Sequence, residues 1–118
     1  MAAGEAEARS FSLSFPTREP DLFWRIVSET TVQHPSATAA QVEVFISHEA
    51  TARLGELTMP TVVICGNEDQ TFPLENSEQL AHLIGSAELR VVDAGHGVHL
   101  EAPDALVSGV SDVARRVA

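Results

Sequence analysis

Between Pro60 and Gly66 the chain reads Thr61-Val62-Val63-Ile64-Cys65, an uncharged run rich in β-branched residues and closed at each end by a residue that interrupts regular structure. A strand with one wet face alternates apolar and polar residues. An unbroken run of this kind belongs to a strand covered on both faces, the habit of parallel sheets flanked by helices. The downstream pattern agrees. Residues 75–84 carry Leu80, Leu83 and Ile84 on one helical face and are followed by Gly85, a natural C-terminal cap. Leu89-Arg90-Val91-Val92-Asp93 reads as a second strand. From Pro103 a last helix places Leu106, Val110, Val113 and Val117 inward, with Arg115 and Arg116 near its negative end. Strand, helix, strand, helix makes a right-handed parallel β-α-β unit with a covering helix.

Upstream of the first strand the signals are helical. Pro20 suits a first helical position, and Leu22, Phe23, Ile26 and Val27 repeat as a stripe with Trp24 alongside. Gln33-His34-Pro35-Ser36 breaks that helix, since the residue before a proline avoids the helical region. Ala39, Val42, Phe45 and Ile46 define a second helical face closing near His48. Residues 1–16 lack sustained periodicity and read as a loose leader. The chain thus divides into 1–16, a helical segment 17–53 and an α/β segment 54–118.

Composition removes several function classes. Seven basic against 17 acidic residues give a formal charge of −10 over 118 residues, which repels nucleic-acid phosphates and anionic lipid. Cys65 has no second cysteine to pair with, which fits a reducing compartment, the cytoplasm by default. The N-terminus carries Glu5 and Glu7 where a secretory signal has a basic start and an apolar stretch. No apolar run approaches the length of a membrane-spanning helix, so the chain reads as soluble.

Functional groups of parallel sheets gather in the loops after the carboxyl ends of strands. Here those loops are Gly66-Asn67-Glu68-Asp69-Gln70-Thr71-Phe72-Pro73 and Asp93-Ala94-Gly95-His96-Gly97-Val98-His99-Leu100-Glu101-Ala102-Pro103. An Asp and a His delivered from adjacent strand ends can hydrogen-bond, the carboxylate fixing the imidazole tautomer and stabilising the imidazolium formed in proton transfer. Taken singly, Asp69 also suits a turn residue bonding its own backbone. His99 reads as a structural residue of the loop, and Glu101 as one that orients the loop or the last helix through backbone contacts. Asp93, His96, His99 and Glu101 together offer metal-ligand chemistry, but their spacing matches no metal signature, and no metal or cofactor is expected. His34, His48 and His82 have no partners at informative spacing and read as surface residues.

The two loops resemble the C-terminal motifs of the α/β-hydrolase family. The first is similar to the stretch Gly-x-x-Asp-x-x-x-Pro that supplies the triad acid, here Asp69; the second to Gly-His-x-x-His-Leu-Glu-x-Pro, which supplies the general base, here His96. The resemblance runs from about Leu54 to the C-terminus, and the preceding helices resemble the tail of the family's lid. It implies a partial α/β-hydrolase fold: two parallel strands with helices on the faces, preceded by two lid-like helices. The implied activity is hydrolysis of an ester, lactone or related small carbonyl compound. The nucleophile of this family sits in a strained elbow with Gly two residues before and usually two after it. The glycines stand at 4, 55, 66, 85, 95, 97 and 109, no two of them four apart. Gly109-Val110-Ser111 is a half-match inside the last helix. Activity is therefore expected to need a Ser-bearing segment. That segment, or a second copy of the chain, is expected to pair through the strand Thr61 to Cys65, which has neighbours on both sides in the family. The alternative is a non-catalytic relic that self-associates or binds a partner.

Overall fold

The computed structural model describes residues 9–31 and 34–118. In chain order it contains α1 (Phe15–Arg18), α2 (Pro20–Glu29), α3 (Pro35–Ser47), a 3-10 turn (Thr51–Glu56), β1 (Thr61–Gly66), α4 (Leu74–Ile84), β2 (Ala87–Val92), α5 (Val98–Glu101) and α6 (Pro103–Val117). β1 and β2 pair in parallel from Thr61 opposite Ala87 to Gly66 opposite Val92, so this is the α/β architecture with two parallel strands. Val63, Cys65 and Gly66 are buried and Val62 and Ile64 half-buried. α4 stops at Gly85, whose φ of 69° lies in the left-handed region that glycine enters without strain. The helix break expected from Gln33 to Ser36 begins at Gln33, outside the described residues. On its far side, the His34 Nδ1 atom caps α3 by accepting from the Ser36 N–H at 3.3 Å.

Three expectations need correction. Residues 10–16, expected within a loose leader, contribute Phe11 and Phe15 to a buried aromatic cluster. Phe11 and Phe15 are 2% and 1% exposed and stack with ring centroids 4.8 Å apart. Phe23 of α2 meets both edge-on at 6.0 and 6.2 Å, closed over by Leu22, Ile26, Val27 and Leu100. Local periodicity cannot reveal such a segment, because part of what it packs against lies at the far end of the chain. Residues 1–8 lie outside the described residues.

The second correction concerns α6. Its expected inward face is largely exposed: Leu106 at 39%, Val110 at 64% and Val117 at 65%, with only Val113 half-buried. The helix touches the sheet through Gly109, buried against Ile64 and Val62. Its apolar stripe is wider than two strands can cover. The third correction has the same cause. Leu80 of α4, also expected inward, is 37% exposed, whereas Ile84 on the same face is buried. Charge pairs also join α6 to β2. Arg90 of β2 reaches Glu88 at 2.6 Å and Asp112 of α6 at 2.5 Å, and Arg116 and Arg115 pair with the same two carboxylates. These bonds raise the Arg90 pKa and lower those of Glu88 and Asp112. Among the described residues no helix is long and apolar enough to cross a membrane.

Phe15→Ala should cost about 3–5 kcal/mol of unfolding free energy in urea titrations, the usual penalty for emptying a core aromatic site. A change within about 0.5 kcal/mol, typical of surface positions, would return this segment to a loose leader.

Candidate active site

Parallel pairing brings the carboxyl ends of β1 and β2 to the same edge of the sheet, and the loops that follow are tied together there. The Asn67 N–H donates to the Val92 carbonyl at 2.9 Å and the Glu68 N–H to the Ala94 carbonyl at 3.0 Å. Next in the chain, Asp69 Oδ1 accepts from the Thr71 and Phe72 N–H groups at 2.8 and 2.9 Å. Its Oδ2 lies 2.9 Å from His96 Nδ1. The two sequence readings of Asp69 are thus complementary: the self-bonding turn holds one oxygen still while the other faces the imidazole. Burial pushes the Asp69 pKa up, but the Phe72 N–H, the His96 bond and the Thr71 N–H together outweigh it and hold the carboxyl below its ordinary value of 3.8.

The two members differ in exposure. The Asp69 side chain is 8% exposed and that of His96 42%, so the acid is shielded and the imidazole opens outward. It opens into a cleft of about 390 Å³ lined among others by Ile64, Ser77, Leu80, His99 and Leu106. Its walls come from α4, α6 and the Ile64 and Cys65 end of β1, so this cleft lies beside β1. Leu80 and Leu106, the apolar residues that overhang the sheet, are also its lining.

Aromatic contacts extend from the site toward the helical segment. The His96 ring lies 5.2 Å from Phe72, and Phe72 lies 5.6 Å from Phe45 of α3. Phe45, Ala40, Gln41, Val44 and His48 border a second, apolar hollow of about 670 Å³. Sequence reading placed Phe45 on a helical face but gave it no place at the site; an aromatic there was the available signal.

The remaining candidates disperse. His99 lines the cleft beside His96 and is exposed rather than packed within the loop. Asp93 Oδ1 lies 3.4 Å from the Asn67 amide nitrogen. Glu101 points inward: its Oε1 accepts from the Gly95 N–H and the Ser12 N–H, each at 2.9 Å, the backbone contacts expected of a loop-orienting residue. Among the described residues no three His, Cys, Asp or Glu side chains are placed to hold a metal ion, so Asp93, His96, His99 and Glu101 are not brought together. Cys65 is buried at the end of β1. His34, His48 and His82 are exposed. Sequence reading missed Ser12 and Arg18, both of which meet Glu101.

Comparison with known proteins gives the family. The family profile of the alpha/beta hydrolase fold matches residues 4–103, and the chain belongs to that family. A thermophilic esterase from Thermogutta terrifontis is 26% identical with a TM-score of 0.82, over 98% of this chain and 43% of the esterase. Est816, described as an N-acyl homoserine lactone degrading enzyme, is 26% identical with a TM-score of 0.75, over 92% of this chain and 45% of its own. A proline iminopeptidase of Neisseria gonorrhoeae is 39% identical over 61 residues, 50% of this chain and 19% of the peptidase. The chain therefore spans less than half the length of each of these relatives.

A carboxyl whose pKa is lowered on folding contributes stability above its ordinary value, and that contribution disappears as pH falls through the lowered one. The stability advantage of the native chain over Asp69→Asn should therefore be full at pH 6 and shrink steadily once pH drops below 3.8. Urea unfolding of both proteins across that range checks it; a difference independent of pH would contradict the charged hydrogen-bonding role of Asp69.

Proposed function

We propose that this chain is the acid- and histidine-bearing part of an ester- or lactone-cleaving hydrolase, with Asp69 and His96 as two members of its triad. The observation that carries the reading is the 2.9 Å contact from a shielded carboxylate to an imidazole that opens into a cleft. With Nδ1–H donated to Asp69, His96 keeps Nε2 free as the base. In the completed site Nε2 takes the hydroxyl proton of a serine as its oxygen attacks the substrate carbonyl. The imidazolium then gives that proton to the leaving group, and water hydrolyses the acyl-enzyme by the same route. The esterase and lactone-degrading likenesses support this choice of substrate class. The 118 residues hold no Gly-x-Ser-x-Gly elbow, so the serine comes from a further segment seated along the side of β1 that pairs with no strand among the described residues. A single unpaired Cys65 favours work in a reducing compartment such as the cytoplasm.

A second reading is favoured by the apolar overhang of Leu80, Leu106 and Val110 beside that edge: a non-catalytic module that self-associates there. A chain that sediments as a monomer at high concentration would sink it.

The direct test of the hydrolase reading joins the portion of the Thermogutta terrifontis esterase upstream of the matched region to this chain and assays a chromogenic short-chain ester. The chimera should hydrolyse it, and His96→Ala or Asp69→Asn should lower the rate on the order of 10³–10⁴-fold. A chimera whose activity survives His96→Ala, or a folded one whose serine reacts with a fluorophosphonate probe but never turns over ester, would overturn it.

A further inference from the structure

The most completely buried charge in the site is not in the triad pair. The Glu101 side chain is 0% exposed, yet it hydrogen-bonds to neither Asp69 nor His96. Its Oε1 accepts two N–H groups at 2.9 Å, from Gly95 and Ser12. Its Oε2 accepts the Ser12 hydroxyl at 2.5 Å and the Arg18 guanidinium at 3.3 Å. A carboxylate withdrawn from water is tolerable only when its lone pairs are satisfied in this way. Gly95 immediately precedes His96, whereas Ser12 and Arg18 belong to the N-terminal segment.

The loop is gripped on its other side as well. The Gly97 N–H donates to the Ser10 carbonyl at 2.8 Å. Residues 10–12 lie so close that a Cβ on Gly97 would come within 2.7 Å of the Phe11 ring, and one on Gly95 would strike the Phe11 backbone. The glycines on either side of His96 are thus where the strap Ser10-Phe11-Ser12 crosses the loop. Close approach, rather than flexibility, requires them. Ser12 itself is no hidden nucleophile: it is 2% exposed, and its hydroxyl meets Glu101, Ser14 and Arg18 rather than an imidazole.

We propose that Glu101 is a positioning residue for His96: it latches the 10–12 strap across the loop, and the latched strap aims the imidazole at Asp69. The orientation of the base is then set by a segment 89 positions upstream of the latch. Disturbance of α1, α2 or the Phe11–Phe15–Phe23 cluster passes to the site through this strap. The significance for catalysis rests on the hydrolase reading, but the geometry is testable without any turnover.

The experiment is NMR on the full ¹⁵N-labelled chain, following the Nδ1–H resonance of His96 and the exchange of the Gly95 and Gly97 amide protons. In the native chain the Nδ1–H resonance should be downfield and visible. In Glu101→Ala it should vanish and the two amides should exchange at least about tenfold faster, because the Gly95 donor loses its acceptor. Glu101→Gln keeps one oxygen for the Gly95 and Ser12 N–H groups and should restore both signals. Ile84→Ala empties a buried site under α4 and controls for general loss of stability; it should leave the His96 signal in place. A folded Glu101→Ala chain with the native His96 signal, or loss of that signal to the same degree in Ile84→Ala, would overturn the proposal. Should Glu101→Ala fail to fold, Ser12→Ala replaces it: several-fold faster exchange at Gly95 and Gly97 supports the latch, and native exchange overturns it. Failure of the chimera assay with this NMR pattern intact would count against the hydrolase reading alone.

Discussion

Six residues of parallel pairing, Thr61–Gly66 against Ala87–Val92, decide which edge of the sheet receives the loops of Asp69 and His96. Parallel strands deliver their following loops to one edge, and the register continues past the strands through the Asn67 and Glu68 N–H groups into the Val92 and Ala94 carbonyls. A shift of one residue would turn every strand side chain to the other face and separate Asp69 from His96. The apolar run at β1 therefore has a consequence beyond burial. It specifies a register, and the register specifies an acid facing an imidazole.

Around that pair, different forces hold different parts. Hydrogen bonds to the Thr71 and Phe72 backbone fix Asp69 at little conformational cost. Close packing of residues 10–12 fixes the His96 loop. Charge pairs from Arg90 to Asp112 and from Arg116 to Glu88 join α6 to β2, beside its narrow apolar contact at Gly109. The apolar surplus at Leu80, Leu106 and Val110 sits together beside β1, so the least satisfied surface and the candidate site share one cleft. Two structures of this family, each more than twice as long as the chain, match nearly all of it.

What the sequence made legible was local. The β-branched run, the helical stripe at Leu22, Phe23, Ile26 and Val27, and Gly85 after Ile84 all declare their structures within a window of a few residues, and the elements formed there. Asp69 and His96 could be singled out because each lies at a strand end in a motif with family resemblance. Phe11, Ser12 and Phe15 were not legible: Phe11 and Ser12 meet partners in the His96 loop and at Glu101, more than eighty positions away, and no periodicity announces a strap. The exposure of Leu106 and Val110 was hidden for the opposite reason. An amphipathic stripe shows that a helix has an apolar face, and it says nothing of how much surface is present to cover that face. His34 as a cap and Arg90 as the centre of a charge network also depend on geometry that spacing alone does not supply.

The account stands or falls on the protonation of one ring. If Asp69 and His96 form the acid–base pair of a hydrolase, the proton of neutral His96 resides on Nδ1, pointed at Asp69, and Nε2 carries the free lone pair. Long-range ¹H–¹⁵N correlation of the neutral imidazole at alkaline pH distinguishes the two nitrogens. The account predicts a protonated Nδ1 and an unprotonated Nε2 in the native chain, with that preference lost in Asp69→Asn. A native chain whose neutral His96 is protonated at Nε2 would contradict it.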